Sequence, residues 1–181
     1  MTHRRHINRI SQLEDDQGTP IKDHDQIADA LNSFYQDLLT ETNTNREEAI
    51  QKVTRHIPRI INSDHNRALL RPITQAEVDH AVKNMPPGKA PGPDGFTTDF
   101  FHHCWDMIKK EVWLVVEESR TSGQVLSALN ATFITLIPKE ERVTHPKQFR
   151  PISLCNVIYK IITKVIANRL KPILPFIISK E

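Results

Sequence analysis

The stretch LIPKEERVTHPKQFRPISL, residues 136–154, predicts two short strands that flank a charged loop. The first strand ends at Pro138 and Lys139, and the second begins at Arg150 and Pro151. If the strands pair as a hairpin, Lys139 and Arg150 lie near opposite ends of the base of one loop. Two cations in that position suit a polyphosphate, because lysine offers a compact charge and arginine offers a bidentate donor. The alternative is two exposed charges on a surface hairpin.

The segments on either side extend this pattern. ATFITLI, residues 131–137, is β-rich and uncharged, which predicts a buried strand. Pro151 makes the second strand an edge or a bend, since proline cannot donate to a ladder. NVIYKIITKVIANRL, residues 156–170, has the apolar spacing of a helix that Asn156 can cap and Pro172 ends.

The remainder of the chain predicts mostly helices. INRISQLEDDQGTPIKD, residues 7–23, predicts a small hairpin with Asp-Gln-Gly as its turn, and a helix follows to residue 39. Thr74 and Glu77 have the spacing of a capping box in front of a third apolar stripe. The predicted fold class is therefore α+β, mostly helical, with a small antiparallel β-hairpin.

PPGKAPGPDG, residues 86–95, concentrates prolines and glycines around Lys89 and Asp94. Prolines fix φ, and glycines permit positive φ, so the loop is expected to hold one shape and to present its two charges at low entropic cost. It is not a nucleotide-binding P-loop, because no glycine stands five residues before Gly88 and Ala90 follows the lysine. The alternative is a plain break between two helices.

The net charge of +2 conceals an uneven distribution. Residues 139–171 contain eight basic and two acidic side chains, a net charge of +6. A basic stretch this concentrated is typical of a surface that faces phosphates. A solvated helix face plus a charged loop gives the same pattern, and for a charge cluster alone it is the commoner cause.

Other functional classes receive little support. Cys104 and Cys155 form no C-x-x-C pair, so a disulfide framework and a cysteine zinc site are not expected, and an intracellular setting fits, with nucleus or cytoplasm left open. No apolar run approaches the ~20 residues that span a bilayer, so no membrane contact is expected. His102 and His103 lie next to Cys104, and adjacent helical residues do not converge on one metal. Asp15-Asp16 resembles a polymerase metal pair but is expected to be a solvated turn.

In order along the chain, GKAPGPDGF, ATFITLIPK and FRPISLCNVIYKIITKVIANRLKPILPFIIS resemble the reverse transcriptases of non-LTR retroelements, the LINE-like class and especially those of plants. The resemblance covers residues 74–181. Residues 7–39 resemble the segment that precedes the polymerase in those polyproteins. Together these resemblances imply two regions. Residues 1–73 would be a pre-polymerase linker region made of a hairpin and helices, and residues 74–181 would be the N-terminal part of the reverse transcriptase domain, the fingers.

The resemblance also implies roles for individual residues. In the family the lysine and the arginine of the two strand motifs approach the incoming triphosphate, which implies triphosphate binding by Lys139 and Arg150. The Pro/Gly loop resembles the extension of the fingers that helps to frame the RNA template. Contacts to template or other nucleic acid are implied for Lys89, Pro91, Gly92, Asp94, Gly95, Arg142 and Lys147.

The palm aspartate and F/Y-x-D-D box of that family have no counterpart in this sequence. The expectation is thus a fingers fragment of an RNA-directed DNA polymerase, without catalytic residues, metal or cofactor of its own, and inactive alone. Its full-length parent would use Mg²⁺, an RNA template, a DNA primer and deoxynucleotide triphosphates, with the palm as an intramolecular partner. The alternatives are a non-catalytic RNA-binding module and a functionless relic of a decayed element.

Overall fold

The computed structural model describes residues 9–15, 17–41 and 45–178, and their contacts form two compact units. The hairpin unit contains the described residues up to His56 together with Ile134–Ile152. The helical unit contains Ile57–Phe133 together with the described residues from Ser153 onwards. The domain boundary predicted at residue 73 comes from the resemblance to polymerases, whereas the two units are defined by contacts within the chain. The predicted boundary therefore stays a prediction.

The described residues are mostly helical and include two small antiparallel sheets, which agrees with the predicted mixed class. The strands are β1 Leu13–Glu14, β2 Pro20–Ile21, β3 Thr132–Pro138 and β4 Phe149–Cys155, with β1 paired to β2 and β3 paired to β4. The helices are α1 His24–Leu39, α2 Arg46–Thr54, α3 Ser63–Leu70, α4 Gln75–Lys83, α5 Thr98–Ser122, α6 Ser127–Asn130, α7 Val157–Leu170 and α8 Leu174–Ile177, and a 3₁₀ turn spans Pro146–Gln148.

The small N-terminal hairpin forms where the sequence predicts it. Leu13 pairs with Ile21 in an antiparallel register, and Gly18 takes a positive φ in the turn. The Asp15 carboxylate accepts hydrogen bonds from the backbone N–H groups of Gln17 and Thr19, at 2.9 and 2.7 Å. Asp15 is therefore used by the turn, as expected, while Asp16 lies outside the described residues.

The core of the hairpin unit joins segments that are distant in sequence. Leu13, Ile27 and Phe149 are buried together. The Glu14 N–H donates to the Thr144 carbonyl at 2.7 Å, so β1 is fastened to the loop between β3 and β4. Helix α1 begins at Asp23, whose side chain caps the helix by accepting from two backbone N–H groups.

The core of the helical unit lies where α4, α5 and α7 pack against one another. The predicted apolar face of α4 is confirmed, and so is the capping box of Thr74 and Glu77. The buried members of this core are Ile73, Val78, Ala81, Val82, Met85, Phe101, Val112, Val116, Val157, Ile161, Ile162 and Val165. Each large side chain buried here stabilises the fold by about 1.5–3 kcal/mol.

The prediction that residues 131–137 form a buried strand was wrong. Strand β3 forms, but Phe133 is 58% exposed and Ile134 is 44% exposed. The physical reason is that β3 belongs to a two-stranded sheet, and among the described residues no further strand joins it. A high β-propensity therefore predicted the strand correctly but did not predict its burial.

None of the helices in the described part of the chain combines the length and the apolar character that crossing a bilayer requires.

Candidate nucleic-acid interface

The loop between β3 and β4 has a defined shape because the Gln148 side chain forms three hydrogen bonds with other residues of the loop. Its Oε1 accepts the N–H groups of Thr144 and His145 at 3.0 and 2.9 Å, and its Nε2 donates to Glu140 Oε1 at 3.0 Å. At the base of the loop the Lys139 N–H donates to the Gln148 carbonyl at 3.0 Å. The predicted pairing of the two strands is confirmed.

Lys139 is exposed at the first end of this loop. Its Nζ donates to the carbonyl oxygen of Lys147 at 2.6 Å, so the ammonium group also closes the loop. A lysine ammonium has three protons, and this bond uses one of them. The positive charge therefore sits at a fixed place at the mouth of the hairpin with donors left for an anion.

Arg150 lies at the other end, two residues beyond Gln148. Its neighbour Phe149 is 4% exposed and packs into the hairpin-unit core. Because successive side chains of a strand point to opposite faces, Arg150 points away from that core. It is exposed, and its side chain makes no hydrogen bond or ion pair within the described part of the chain. Among those residues, nothing occupies the donors of its guanidinium group.

The Pro/Gly loop lies in the helical unit and is closed by its own short-range bonds. The Gly95 N–H donates to the Gly92 carbonyl at 3.1 Å, and the Phe96 N–H donates to Asp94 Oδ1 at 3.0 Å. Gly88 and Gly95 both take positive φ, at 66° and 77°. Asp94 is thus a turn-forming residue as well as an exposed charge.

Lys89 is the cation of the Pro/Gly loop, and its side chain has no partner among the described residues. It is exposed, whereas Pro91, two residues later, is half-buried. Lys160 of α7 donates through Nζ to the Ala90 carbonyl at 3.5 Å, so a second lysine lies against the loop.

Gly92 marks the tightest packing in this loop. It is buried, and a Cβ placed on it would lie only 2.3 Å from Asn156 Oδ1 and 2.4 Å from the Asn156 backbone nitrogen. No side chain fits at that distance. Glycine is therefore required here by close approach to the start of α7, rather than by backbone conformation.

Asn156 holds three segments together, and sequence reasoning missed this role. The prediction that its side chain caps α7 was wrong, because it makes no capping bond. Its Oδ1 accepts the Asp94 N–H at 3.2 Å, and its Nδ2 donates to the Ala128 carbonyl at 3.0 Å. The residue is 1% exposed. The only signal was an asparagine at a strand–helix junction, where capping is its commonest use.

The basic stretch of residues 139–171 does not form one phosphate-facing surface, because Arg169 is used inside the helical unit. Its side chain is 9% exposed and forms a bidentate ion pair with Glu77, at 2.8 and 3.0 Å. The same guanidinium donates to the carbonyl oxygens of Leu69, Arg71 and Pro72. Hydrogen bonding from Arg169 lowers the pKa of Glu77 from 4.5 to about 2.

The remaining predicted residues lie on the hairpin loop. Arg142 and Lys147 are both exposed, and the structure places them with Lys139 and Arg150 in the hairpin unit. The residues of the Pro/Gly loop belong to the helical unit. The roles assigned to all of these residues stay predictions.

The histidines near Cys104 serve the fold. His102 donates through Nε2 to the Val82 carbonyl at 2.9 Å, and His103 donates through Nδ1 to the Asp99 carbonyl at 2.7 Å. In the described ranges no three histidine, cysteine, aspartate or glutamate side chains lie close enough together to hold a metal ion.

Known proteins with similar sequences come from retroelements. The chain is 32% identical over 173 residues to the Transposon TX1 uncharacterized 149 kDa protein of Xenopus laevis, covering 96% of this chain and 13% of that protein. It is 29% identical over 101 residues to the Retrovirus-related Pol polyprotein from type-1 retrotransposable element R2 of Popillia japonica, and 30% identical over 104 residues to that of Nasonia vitripennis.

Each R2 match covers 56% of this chain, and 13% and 9% of the respective polyproteins. The chain therefore spans a small part of the length of these relatives. No protein-family model matches it. Since the alignment to the TX1 protein runs through nearly the whole chain, the similarity is not confined to one short motif. The homologues of this chain are thus non-LTR retrotransposon proteins, and the similarity supports a segment related to non-LTR retroelement reverse transcriptases.

Proposed function

We propose that this chain supplies fingers-type contacts to an RNA-directed DNA polymerase and does not polymerise by itself. Lys139 and Arg150 would hold the triphosphate of the incoming deoxynucleotide. Lys89 and the Pro/Gly loop, with Arg142 and Lys147, would contact the template. The observation that carries this proposal is the β3–β4 hairpin, which has a fixed lysine at one end of its loop and, at the other, an arginine whose side chain has no partner among the described residues.

The chemistry of the two cations suits different parts of a triphosphate. Lys139 is a compact charge whose position is fixed by its bond to Lys147. Arg150 retains a planar fork that matches two oxygens of one phosphate. Both side chains are exposed, so a triphosphate reaches them without displacing a protein carboxylate.

Catalysis of nucleotidyl transfer needs carboxylates that hold two metal ions in line with the reacting phosphate. The residues of this chain do not fit that requirement. The sequence has no F/Y-x-D-D box, and the carboxylate of Asp15 is engaged in a turn. We therefore assign no Mg²⁺ site and no polymerisation step to this chain.

Isothermal titration calorimetry with a deoxynucleotide triphosphate tests the triphosphate role. Lys139→Ala and Arg150→Ala should each weaken binding by about tenfold, the effect of losing one charge-assisted hydrogen bond. Arg59→Ala is the matched control, because Arg59 is exposed and has no partner within the described residues. Equal binding by the two hairpin variants and the control would refute the role.

Primer extension with Mg²⁺ tests the second half of the proposal. The chain alone should add no nucleotides to a primer on an RNA template, because its sequence lacks the F/Y-x-D-D box that would hold the metal ions. Robust synthesis by the chain alone would overturn the inactivity proposed here.

The second candidate is a non-catalytic RNA-binding module. It is favoured by the exposed and unpaired state of Lys89, Arg142 and Arg150 among the described residues. Its distinguishing property is RNA binding that does not respond to deoxynucleotide triphosphates. Filter binding across salt concentrations measures this, and each neutralised phosphate adds about −0.7 to the log–log slope on single strands.

A further inference from the structure

A small cleft in the hairpin unit joins the N-terminal segment to the loop between β3 and β4. It has a volume of about 320 Å³, at the lower end of the range of ligand sites. Its apolar lining includes Pro138, Val143 and the buried ring of Phe149. Its charged lining consists of Arg9, Arg142 and Glu141, all of them exposed.

The two arginines reach the cleft from widely separated parts of the sequence. Arg9 precedes β1, and the Glu14 N–H at the end of β1 donates to the Thr144 carbonyl at 2.7 Å. This bond holds the N-terminal segment against the loop that carries Arg142. Neither arginine has a hydrogen bond or an ion pair in the described part of the chain. Two guanidinium groups without a partner among the described residues therefore border one cavity.

We propose that this cleft binds one unpaired nucleotide of single-stranded RNA, with its phosphate between Arg9 and Arg142 and its base against Pro138 and Val143. This inference rests on the proposed function and adds Arg9, which the resemblance does not assign, to the nucleic-acid contacts. An apolar surface bordered by arginines suits a nucleotide, which carries both a flat ring and a phosphate. The cavity is too small for a base-paired segment.

Glu141 sharpens the proposal because it borders the same cavity with the opposite charge. It forms no ion pair with either arginine within the described residues, so its charge opposes a phosphate without neutralising a guanidinium. Removing that charge should improve the site. A gain of affinity cannot arise from damage to the fold, which makes Glu141→Gln the most informative variant.

The probe is a fluorescein-labelled, single-stranded uridine oligonucleotide, and its anisotropy reports binding to the full chain. Arg9→Ala and Arg142→Ala should each weaken binding about fivefold to tenfold, and Glu141→Gln should tighten it about twofold to threefold. Arg59→Ala removes an exposed arginine of the helical unit that has no partner among the described residues, and it should stay within about twofold of the parent chain.

The double variant tests whether the arginines share a phosphate. If they do, Arg9→Ala combined with Arg142→Ala loses less than the product of the two single effects. The log–log salt slope then changes by about 0.7, the value for one phosphate, rather than by twice that amount. Independent effects and a doubled change of slope would overturn a shared phosphate site.

Uridine monophosphate and inorganic phosphate, titrated separately and followed by NMR, separate a nucleotide site from a simple anion site. Shifts of Val143 and Phe149 signals with uridine monophosphate, and not with phosphate, are expected. Equal responses to both ligands would overturn the nucleotide assignment. A deoxyuridine oligonucleotide shows whether the site prefers RNA, and equal binding of the two strands would overturn that preference.

The outcomes distinguish this proposal from the proposed function. If RNA binds normally to Arg9→Ala and Arg142→Ala, the cleft proposal fails. The triphosphate role of Lys139 and Arg150 then stands on its own calorimetric test. If uridine monophosphate occupies the cleft while Lys139→Ala and Arg150→Ala bind deoxynucleotide triphosphate as the parent does, the cleft stands and the triphosphate role fails.

Discussion

In the helical unit, charged side chains near the core form hydrogen bonds and ion pairs with one another and with the backbone. In the hairpin unit, several cationic side chains are exposed to solvent instead. Arg169 and Arg150 illustrate the contrast, since both belong to the same basic stretch of sequence. Arg169 is 9% exposed, binds Glu77 through both carboxylate oxygens and satisfies three carbonyl groups. Arg150 is exposed and has no partner in the described part of the chain.

The difference teaches that the partners of an arginine, rather than its position in a basic stretch, decide whether it serves the fold or a ligand. A desolvated guanidinium needs all its protons satisfied, so Arg169 has no donors left for a phosphate. An exposed guanidinium contributes little to stability and keeps its full binding capacity. Four substitutions or conditions follow in order of expected effect; three of them test this contrast, and Gly92→Ala tests the packing of the helical unit.

The largest effect is expected from Arg169→Ala. It leaves the Glu77 carboxylate without its main partner and three carbonyl groups without a donor, so stability should fall by about 3–5 kcal/mol. Urea denaturation followed by circular dichroism measures the loss. Lys164→Ala, on the exposed side of the same helix, should change stability by less than about 0.5 kcal/mol. Similar losses in both variants would break the contrast.

The next effect is expected from Gly92→Ala. The new Cβ would meet side-chain and backbone atoms of Asn156, so the start of α7 or the loop must shift, at a cost of about 3 kcal/mol. Gly95→Ala is the matched control, because Gly95 has no neighbouring atom within 4 Å and should lose only the ~1 kcal/mol of a positive φ. An unfolding midpoint equal in the two variants would refute the tight approach.

Acid should weaken the helical unit in a predictable pH window. Hydrogen bonds from Arg169 and Arg120 lower the pKa values of Glu77 and Glu117, each from 4.5 to about 2. A depressed pKa stabilises the fold above the unfolded value, and this stabilisation is lost as the pH falls through 4.5 towards 2.

Each carboxylate should account for on the order of 1–2 kcal/mol of that loss, with allowance for solvent screening. Chemical denaturation at a series of pH values measures it. Glu117→Gln should be less stable than the parent at neutral pH, because Gln cannot accept the charged bonds from Arg120 and the Ile73 N–H equally well. Its stability should then vary less with pH, and an unchanged slope would contradict the assigned pKa.

The smallest effect on stability is expected from Arg150→Ala. Because Arg150 has no protein partner among the described residues, its loss should change the free energy of unfolding by less than about 0.5 kcal/mol. Thermal unfolding of this variant beside Arg169→Ala provides the measurement. A loss above about 1 kcal/mol would mean that Arg150 supports the fold, and it would remove the distinction between the two arginines.

The sequence allowed good prediction wherever local rules act. The capping box of Thr74 and the turn at Asp15 both depend on neighbours within four residues, and both form. The pairing of β3 with β4 was also predictable, because the two strands are close in sequence and a charged loop separates them.

Prediction failed where the partner lies far away in the chain. Asn156 bonds to residues 28 and 62 positions distant, so its local position suggested a cap that does not form. Arg169 meets Glu77 across 92 residues, and composition alone could not separate it from the exposed cations. The exposed Phe133 shows the same limit, since burial depends on how many strands join a sheet.

The large sequence separation between contacting residues of the hairpin unit has a consequence for biosynthesis. The Tyr35 hydroxyl bonds to the Pro146 carbonyl 111 residues later, and Leu13 and Ile27 share their core with Phe149. A ribosome adding about 5–20 residues per second needs on the order of ten seconds to cover that distance. During this wait the nascent N-terminal segment exposes apolar side chains that only later residues can cover. This interval gives chaperones a target, and release of the peptide before residue 149 leaves that surface uncovered.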